Sequence, residues 1–168
     1  MIREANKNDA LNLAALSIQV WLNTYAVDGV RNEISKYVIH RFTEHYFLDQ
    51  LNQNNLKTLV FVEDDLLLGY ITIDLDAHYI DVTQVDITQG YEITTLYVQS
   101  QFKGKGIGKK LLGQVQTQFG NTCWLTAWVF NENAIGFYKH IGFKDIGMKH
   151  FELEGELHEN RILAFVGD

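Results

Sequence analysis

The residues with the clearest chemical purpose lie in the stretch "QSQFKGKGIGKKLL", Gln99 to Leu112. Positions 103–110 hold four lysines and three glycines, in a chain with 14 Lys+Arg, 21 Asp+Glu and a formal net charge of -7. From Gly106 onward Ile107, Leu111, Leu112, Val115 and Phe119 recur every three or four residues, which predicts that a helix starts there. A helix N-terminus exposes unpaired N–H groups and about half a positive charge, so lysines are slightly unfavourable at that end. Lys103, Lys105, Lys109 and Lys110 repel one another unless an anion sits among the amides. Gly104, Gly106 and Gly108 let the backbone approach such an anion and take positive φ. The combination reads as a pyrophosphate seat; the other reading is a flexible turn followed by a solvated lysine face. Two other phosphate motifs fail on the letters. The dinucleotide fingerprint needs glycine where Lys109 stands, and a Walker loop needs Ser or Thr where Lys110 stands.

The loop must be positioned by the rest of the chain. At 168 residues the chain suits one domain, 1–168. Its 46% hydrophobic and 21% charged residues are those of an ordinary globular protein. No apolar run approaches the roughly 18–20 residues that cross a bilayer, and "MIREANKND" is too polar for a secretory leader. The lone Cys123 cannot form an internal disulfide. The expectation is a cytoplasmic protein with no membrane partner, and the acidic balance argues against nucleic acid as well.

The pattern gives a short strand at 2–5 and a helix from Asp9, capped by Asn8 or Asp9. Its apolar stripe is Leu11, Ala14, Ala15, Ile18, Trp21, Leu22 and Tyr25. "DG" at 28–29 ends it, and a second amphipathic segment runs to about Asn52. Strands at 58–64 and 66–76 flank a turn near Asp64–Asp65, a polar excursion covers 77–90, and 91–99 is a further strand. After the helix from Gly106 come a strand at 123–130, a short helix within 131–143, and strands near 144–154 and 158–166. The order is β-α-α-β-β-β-α-β-α-β-β. Three successive strands ahead of the crossover helices imply a mixed sheet.

"LYVQSQFKGKGIGKKLL" resembles the acetyl-CoA motif of the GNAT superfamily of acyl-CoA-dependent N-acyltransferases, Q/R-x-x-G-x-G/A after a strand that ends near a valine. Counted from Val98, the motif covers Lys103 to Gly108, with lysine where glutamine or arginine is usual; a register from Gln101 also satisfies the letters. The lysine removes a planar side chain but leaves the backbone amides. "NENAIGFYKHIGF" resembles the downstream element N-x-x-A-x-x-x-Y-x-x-x-G-F, with Asn131, Ala134, Tyr138, Gly142 and Phe143 in place. The resemblance covers about 91–143. Within the superfamily, the local wording looks most like bacterial PaiA-type spermidine/spermine acetyltransferases.

The resemblance implies an α/β (α+β) fold with a mixed, mainly antiparallel central sheet and about four flanking helices. It implies acetyl-CoA as co-substrate, no metal, and direct attack of a neutral amine on the thioester in a ternary complex. Pantetheine would run along Leu96, Tyr97 and Val98, with an N–H near Val98 polarising the thioester oxygen. The pyrophosphate would meet Lys103, Gly104, Lys105, Gly106, Ile107, Gly108 and Lys109. Asn131 would touch the cofactor arm, and Tyr138 would protonate the leaving thiolate, unless it only packs its helix.

An alkylammonium costs about 4–5 kcal/mol to deprotonate at pH 7, so a base is useful. Glu92, six residues before Val98, is the candidate. Two-residue alternation puts it on the face of Leu96 and Val98; a solvated strand carboxylate is the other reading. The acceptor expected is a small primary amine, a polyamine among them. The alternatives are a protein N-terminus or lysine as acceptor, or a CoA-binding module without turnover. Asp74, Asp76, Asp81, Asp86 and Glu92 lie between 74 and 92 with no Lys or Arg, either steering a polycation or simply solvated. Trp21 and Tyr25 belong to the core or to the acceptor wall. His40 and His45 lack metal spacing, and Cys123 reads as a small hydrophobe. A monomer and a homodimer both fit.

Overall fold

β-Branched and aromatic residues alternate along 56–74 and 91–98, and these segments form the middle of one sheet. The structure, a computed structural model, describes residues 1–78, 90–153 and 155–165. In chain order the elements are β1 (Ile2–Glu4), α1 (Ala10–Tyr25), α2 (Asn32–Arg41), α3 (Glu44–Leu51), β2 (Leu56–Glu63), β3 (Leu66–Asp74) and β4 (Tyr91–Val98). Then come α4 (Ile107–Phe119), β5 (Cys123–Trp128), α5 (Glu132–His140), β6 (Lys144–Leu153) and β7 (Glu156–Phe165). The sheet order is β1-β2-β3-β4-β5-β7-β6, antiparallel throughout except for the parallel pair β4–β5. The sheet is mixed, as the element order implies, and mainly antiparallel, as the resemblance implies.

The region between β1 and β2 holds three helices where the pattern predicts two. The break is Thr43. Its backbone is extended, and its side chain accepts from the Tyr46 N–H at 3.1 Å, so it ends one helix and caps the next. The first helix is entered through a 3-10 turn, Lys7–Asp9, and Asp9 holds the capping position of α1 as expected but makes no side-chain cap bond to it. Asn6 caps the turn, accepting from Asn8 N–H, while Asp9 turns back to accept from the Asn6 N–H at 2.8 Å. Arg3 donates to both Asp9 oxygens at 2.7 and 2.8 Å, tying β1 to the helix entry.

The buried residues of α1 are Ala10, Leu13, Ala14, Leu16, Ser17, Val20 and Trp21, whereas Leu11 and Ala15 are exposed. A purely apolar reading misses this set because the line runs through Ser17. That hydroxyl donates to the Leu13 carbonyl and pairs with the Tyr70 hydroxyl at 2.6 Å. Alternation along β3 then separates two cores. Ile71 and Ile73 face α4 and α5, with Leu111, Val115 and Leu125; Tyr70 faces α1–α3, with Leu13, Trp21 and Phe47.

One irregularity matters for function. Thr72 pairs with Thr95, but the next residue, Ile73, pairs with Ile93, leaving Thr94 as a bulge whose Oγ1 donates to the Thr72 carbonyl at 3.2 Å. Cross-strand partners share a face. Ile93, Leu96 and Val98 therefore lie on the α4 side with Ile73, Ile71 and Gly69. Glu92, Thr95 and Tyr97 lie on the α1 side with Asp74, Thr72 and Tyr70. Glu92 is thus not on the face of Leu96 and Val98: the extra residue reverses the alternation between them. Among the described residues no helix is long and apolar enough to cross a membrane.

Asp9 has a pKa held below the ordinary carboxylate range, chiefly by its hydrogen bonds from Arg3. A depressed carboxyl contributes stability that is present above its unfolded pKa and lost as pH falls through its folded value. Asp9→Ala should cost about 1–2 kcal/mol. Denaturant melts should show this difference at neutral pH and its disappearance in acid.

Candidate active site

β4 and β5 run side by side for two residue pairs only, Tyr91–Cys123 and Glu92–Trp124, and then diverge. The facing edges of Ile93–Val98 and Leu125–Trp128 are left without ladder partners across the gap. A cavity of about 250 Å³ fills the divergence, walled by Ile93–Tyr97 on one side and Leu125–Trp128 on the other. It passes through the sheet. Tyr138, Ala134 and Asn131 line it on the α5 side, and Trp21, Tyr25 and Tyr37 on the α1 side.

The glycine-lysine loop enters from the end of β4. The Gln99 N–H donates to the Leu68 carbonyl at 2.9 Å, and a short 3-10 turn covers Ser100–Phe102. Gly104 and Gly106 have φ of +78° and +79°, with open space where a side chain would stand. Lys103 and Lys105 spend their amides in turns, on Ser100 O and Phe102 O. The amides of Gly104, Gly106, Ile107, Gly108 and Lys109 have no backbone partner among the described residues, and the first turn of α4 holds no acidic side chain. This is a donor cradle of the kind that takes an anion. Gly108 has a different role from its neighbours. It is helical, and a Cβ there would touch Phe137 Cζ at 3.5 Å and Leu96 Cδ2 at 3.8 Å. Gly108 joins the loop to the cavity, because Leu96 lines both. Ile107 offers only its amide; its side chain is core.

Tyr138 is 7% exposed, held edge-on between Phe137 and Phe143. Burial pushes its phenol well above its ordinary pKa, with Cys123 adding to the rise, so the proton stays on. Asn131 also lines the cavity, and its Oδ1 is spent on capping α5 through the Ala134 N–H at 3.2 Å. Leu96 and Tyr97 form the β4 wall, whereas Val98 packs beside Gly69 and Gly108, at the loop end. Glu92 stands one residue below the first wall residue, half-buried. Burial raises its carboxyl, opposed by Lys149 and reinforced by Asp74.

Trp21 and Tyr25 serve as core and wall together, and burial pushes the Tyr25 phenol up to about 12. The acidic run is partly committed elsewhere: Asp74 Oδ1 accepts from Asn55 Nδ2 at 2.8 Å and from the Asp76 N–H at 3.0 Å. Asp81 and Asp86 lie outside the described residues. Cys123 is buried, its thiol pushed up to about 12 by burial, which makes it a poor nucleophile. Among the described residues no cluster of three or more His, Cys, Asp or Glu is placed to hold a metal.

Sequence reasoning missed Tyr37, Trp128, Phe151, His158 and Asn160, all of which line the cavity. They come from α2, β5, β6 and β7, so no local spacing connects them. Only the strand registers Phe151–His158 and Trp128–Asn160 bring them together.

The sheet thus parts at one strand junction, with a loop of free backbone amides at one end and a buried phenol in the gap. The model of the acetyltransferase (GNAT) family matches residues 22–143, and the chain belongs to that family. It is an acyltransferase that carries out acetyl-CoA-dependent N-acetylation. Over 146 residues the chain is 23% identical to an uncharacterized N-acetyltransferase in the pepI 3′ region of Lactobacillus delbrueckii subsp. lactis, covering 84% of this chain and 82% of the relative. It is 24% identical over 120 residues to an N-alpha-acetyltransferase of Sulfurisphaera tokodaii, covering 67% and 71%. Among solved structures, the PaiA N-acetyltransferase of Thermoplasma acidophilum in complex with coenzyme A superposes with a TM-score of 0.71 at 19% identity, covering 96% of each chain. At that identity the likeness speaks for the fold.

An L-residue at φ near +79° costs about 1–2 kcal/mol, and a β-branched side chain would also cover the open amides. Gly106→Val should weaken coenzyme A binding by at least roughly tenfold in calorimetric titration, with the thermal melt lowered by only about 2–8 °C.

Proposed function

We propose that this chain moves the acetyl group of acetyl-CoA to the primary amine of a small molecule, with both substrates bound at once. The observation that carries the reading is continuity. The free amides at the start of α4, Gly108 against Leu96, and the cavity holding Tyr138 form one path through the sheet. The diphosphate of coenzyme A fits the amides of Gly104 and of Gly106–Lys109, with Lys103 and Lys105 supplying charge. The unladdered edge at Leu96–Val98 suits the amide-bearing pantetheine arm, and Asn131 faces the same space. The CoA-bound PaiA structure supports the same assignment by its likeness of fold.

In the transfer, the amine nitrogen bonds to the acetyl carbon, the carbon–sulfur bond breaks, and the amine proton is exchanged for one on sulfur. An N–H of β4 near Val98 stabilises the developing oxyanion. Tyr138, kept protonated by burial, donates to the departing thiolate. Glu92, placed by the bulge on the α1 face, takes the proton from the incoming ammonium through water. A polyamine is one acceptor of this class. Acetylation of a protein N-terminus draws support from the Sulfurisphaera tokodaii relative's name. Thiol release from acetyl-CoA, screened against polyamines, arylalkylamines, amino acids and short peptides, tests the reading; release with none of them refutes it.

Tyr138→Phe should lower kcat about 100-fold while leaving acetyl-CoA affinity unchanged in equilibrium binding. Unchanged kcat would remove the acid role from this residue. A carboxylate base works only when ionised, and burial raises Glu92. The wild-type rate should therefore fall as pH drops through that raised value, and Glu92→Gln should lack this acid limb. A raised carboxyl also makes the fold lose stability as pH rises between its unfolded and folded pKa values. Glu92→Gln should accordingly melt higher at neutral pH.

A further inference from the structure

The α1-side mouth of the cavity is bounded by a closed collar of rings. Trp21 stacks on Tyr25 with centroids 4.1 Å apart and on Tyr37 at 4.3 Å. Tyr25 reaches Trp128 at 4.9 Å, Trp128 reaches His158 at 6.4 Å, and Tyr37 reaches Phe151 at 6.4 Å. The β6–β7 register pairs Phe151 with His158 and completes the circuit. Among the described residues none that lines the cavity is Asp, Glu, Lys or Arg. The one charged-capable member, His158, has a buried Nε2 with no hydrogen-bond partner, its nearest acidic oxygen being Glu156 Oε2 at 3.8 Å.

We propose that this collar is the acceptor site and that it selects primary monoamines with an aromatic body, the arylalkylamines. This rests on the acetyltransferase reading and names its acceptor class. No carboxylate is among the described residues that line the cavity: Glu156 faces His158, and Glu92 reaches the reacting amine only through water, so a polyamine's further cations would lose hydration without direct pairing there. A neutral ring loses nothing on desolvation and gains edge and face contacts with the collar. The cavity of about 250 Å³ runs from the collar to Asn131 and Tyr138, so the ring and the acetyl end of the cofactor share it. The ring takes the collar side, and a short alkyl chain leads its amine into the β4–β5 gap. The unpartnered His158 Nε2 gives the collar one hydrogen-bonding point, which suits an acceptor that carries a polar group or its amine close to that wall.

The test uses the full chain with 2-phenylethylamine, tryptamine, spermidine, putrescine and an alanine-initiated tetrapeptide, each with acetyl-CoA. Arylalkylamines should show kcat/KM at least tenfold above the polyamines and the peptide. Trp128→Leu should raise KM for 2-phenylethylamine about tenfold while coenzyme A affinity, measured by calorimetry, confirms an intact fold. In the protein loaded with coenzyme A, 2-phenylethylamine should quench tryptophan fluorescence, a readout independent of turnover. Faster transfer to spermidine or to the peptide overturns the collar assignment and leaves the transferase reading standing. A KM unmoved by Trp128→Leu in a variant that still binds coenzyme A also overturns it. Quenching without turnover of any amine supports aryl binding in the collar but overturns the small-amine acceptor reading, and with it the collar's role as acceptor site; neither quenching nor turnover overturns both.

Discussion

The parting of β4 from β5 after two residue pairs is the constraint on which the site depends. A sheet whose central strands stayed laddered would have no gap, no free edge and no passage between its faces. Parallel pairing is confined to Tyr91–Cys123 and Glu92–Trp124, and the bulge at Thr94 bends β4 away just above them. The cost of an open sheet centre is offset on both sides. Tyr138, Phe137 and Phe143 close the α5 face, while Trp21, Tyr25 and Tyr37 close the α1 face. Each face contributes different chemistry because the two cores are separated by β3 alternation.

The loop and the gap work as one unit through Gly108. A Cβ there would lie in van der Waals contact with Phe137 and Leu96, so α4 sits directly against the strand that walls the cavity. Gly104 and Gly106 instead set a left-handed backbone, which turns successive amides outward. Three glycines in five positions thus perform two distinct tasks.

How far the sequence could be read follows from how local each signal is. The glycine-lysine loop, the helix after it and the Asn131–Phe143 element are contiguous, so their letters carry both geometry and family. Trp21 and Tyr25 were visible as wall candidates because one helical stripe holds both. The split at Thr43 was hidden because an extended capping residue interrupts no hydrophobic period. The bulge at Thr94 was equally invisible: a threonine among β-branched neighbours looks the same whether paired or extra, yet it moves Glu92 to the other face. Trp128, Phe151 and His158 become neighbours only through strand register, which a single chain read end to end does not reveal.

The collar joins Trp21, near the start of the chain, to His158, near its end. During synthesis at roughly 5–20 residues per second, these side chains emerge about 7–27 seconds apart. Until the β6–β7 hairpin arrives, the rings on α1 and α2 stay wet and adhesive, a surface that holdase chaperones favour. The cavity wall contributed by β6 and β7 is therefore the last to be added to a frame that α1, α2, β4 and β5 have already laid down.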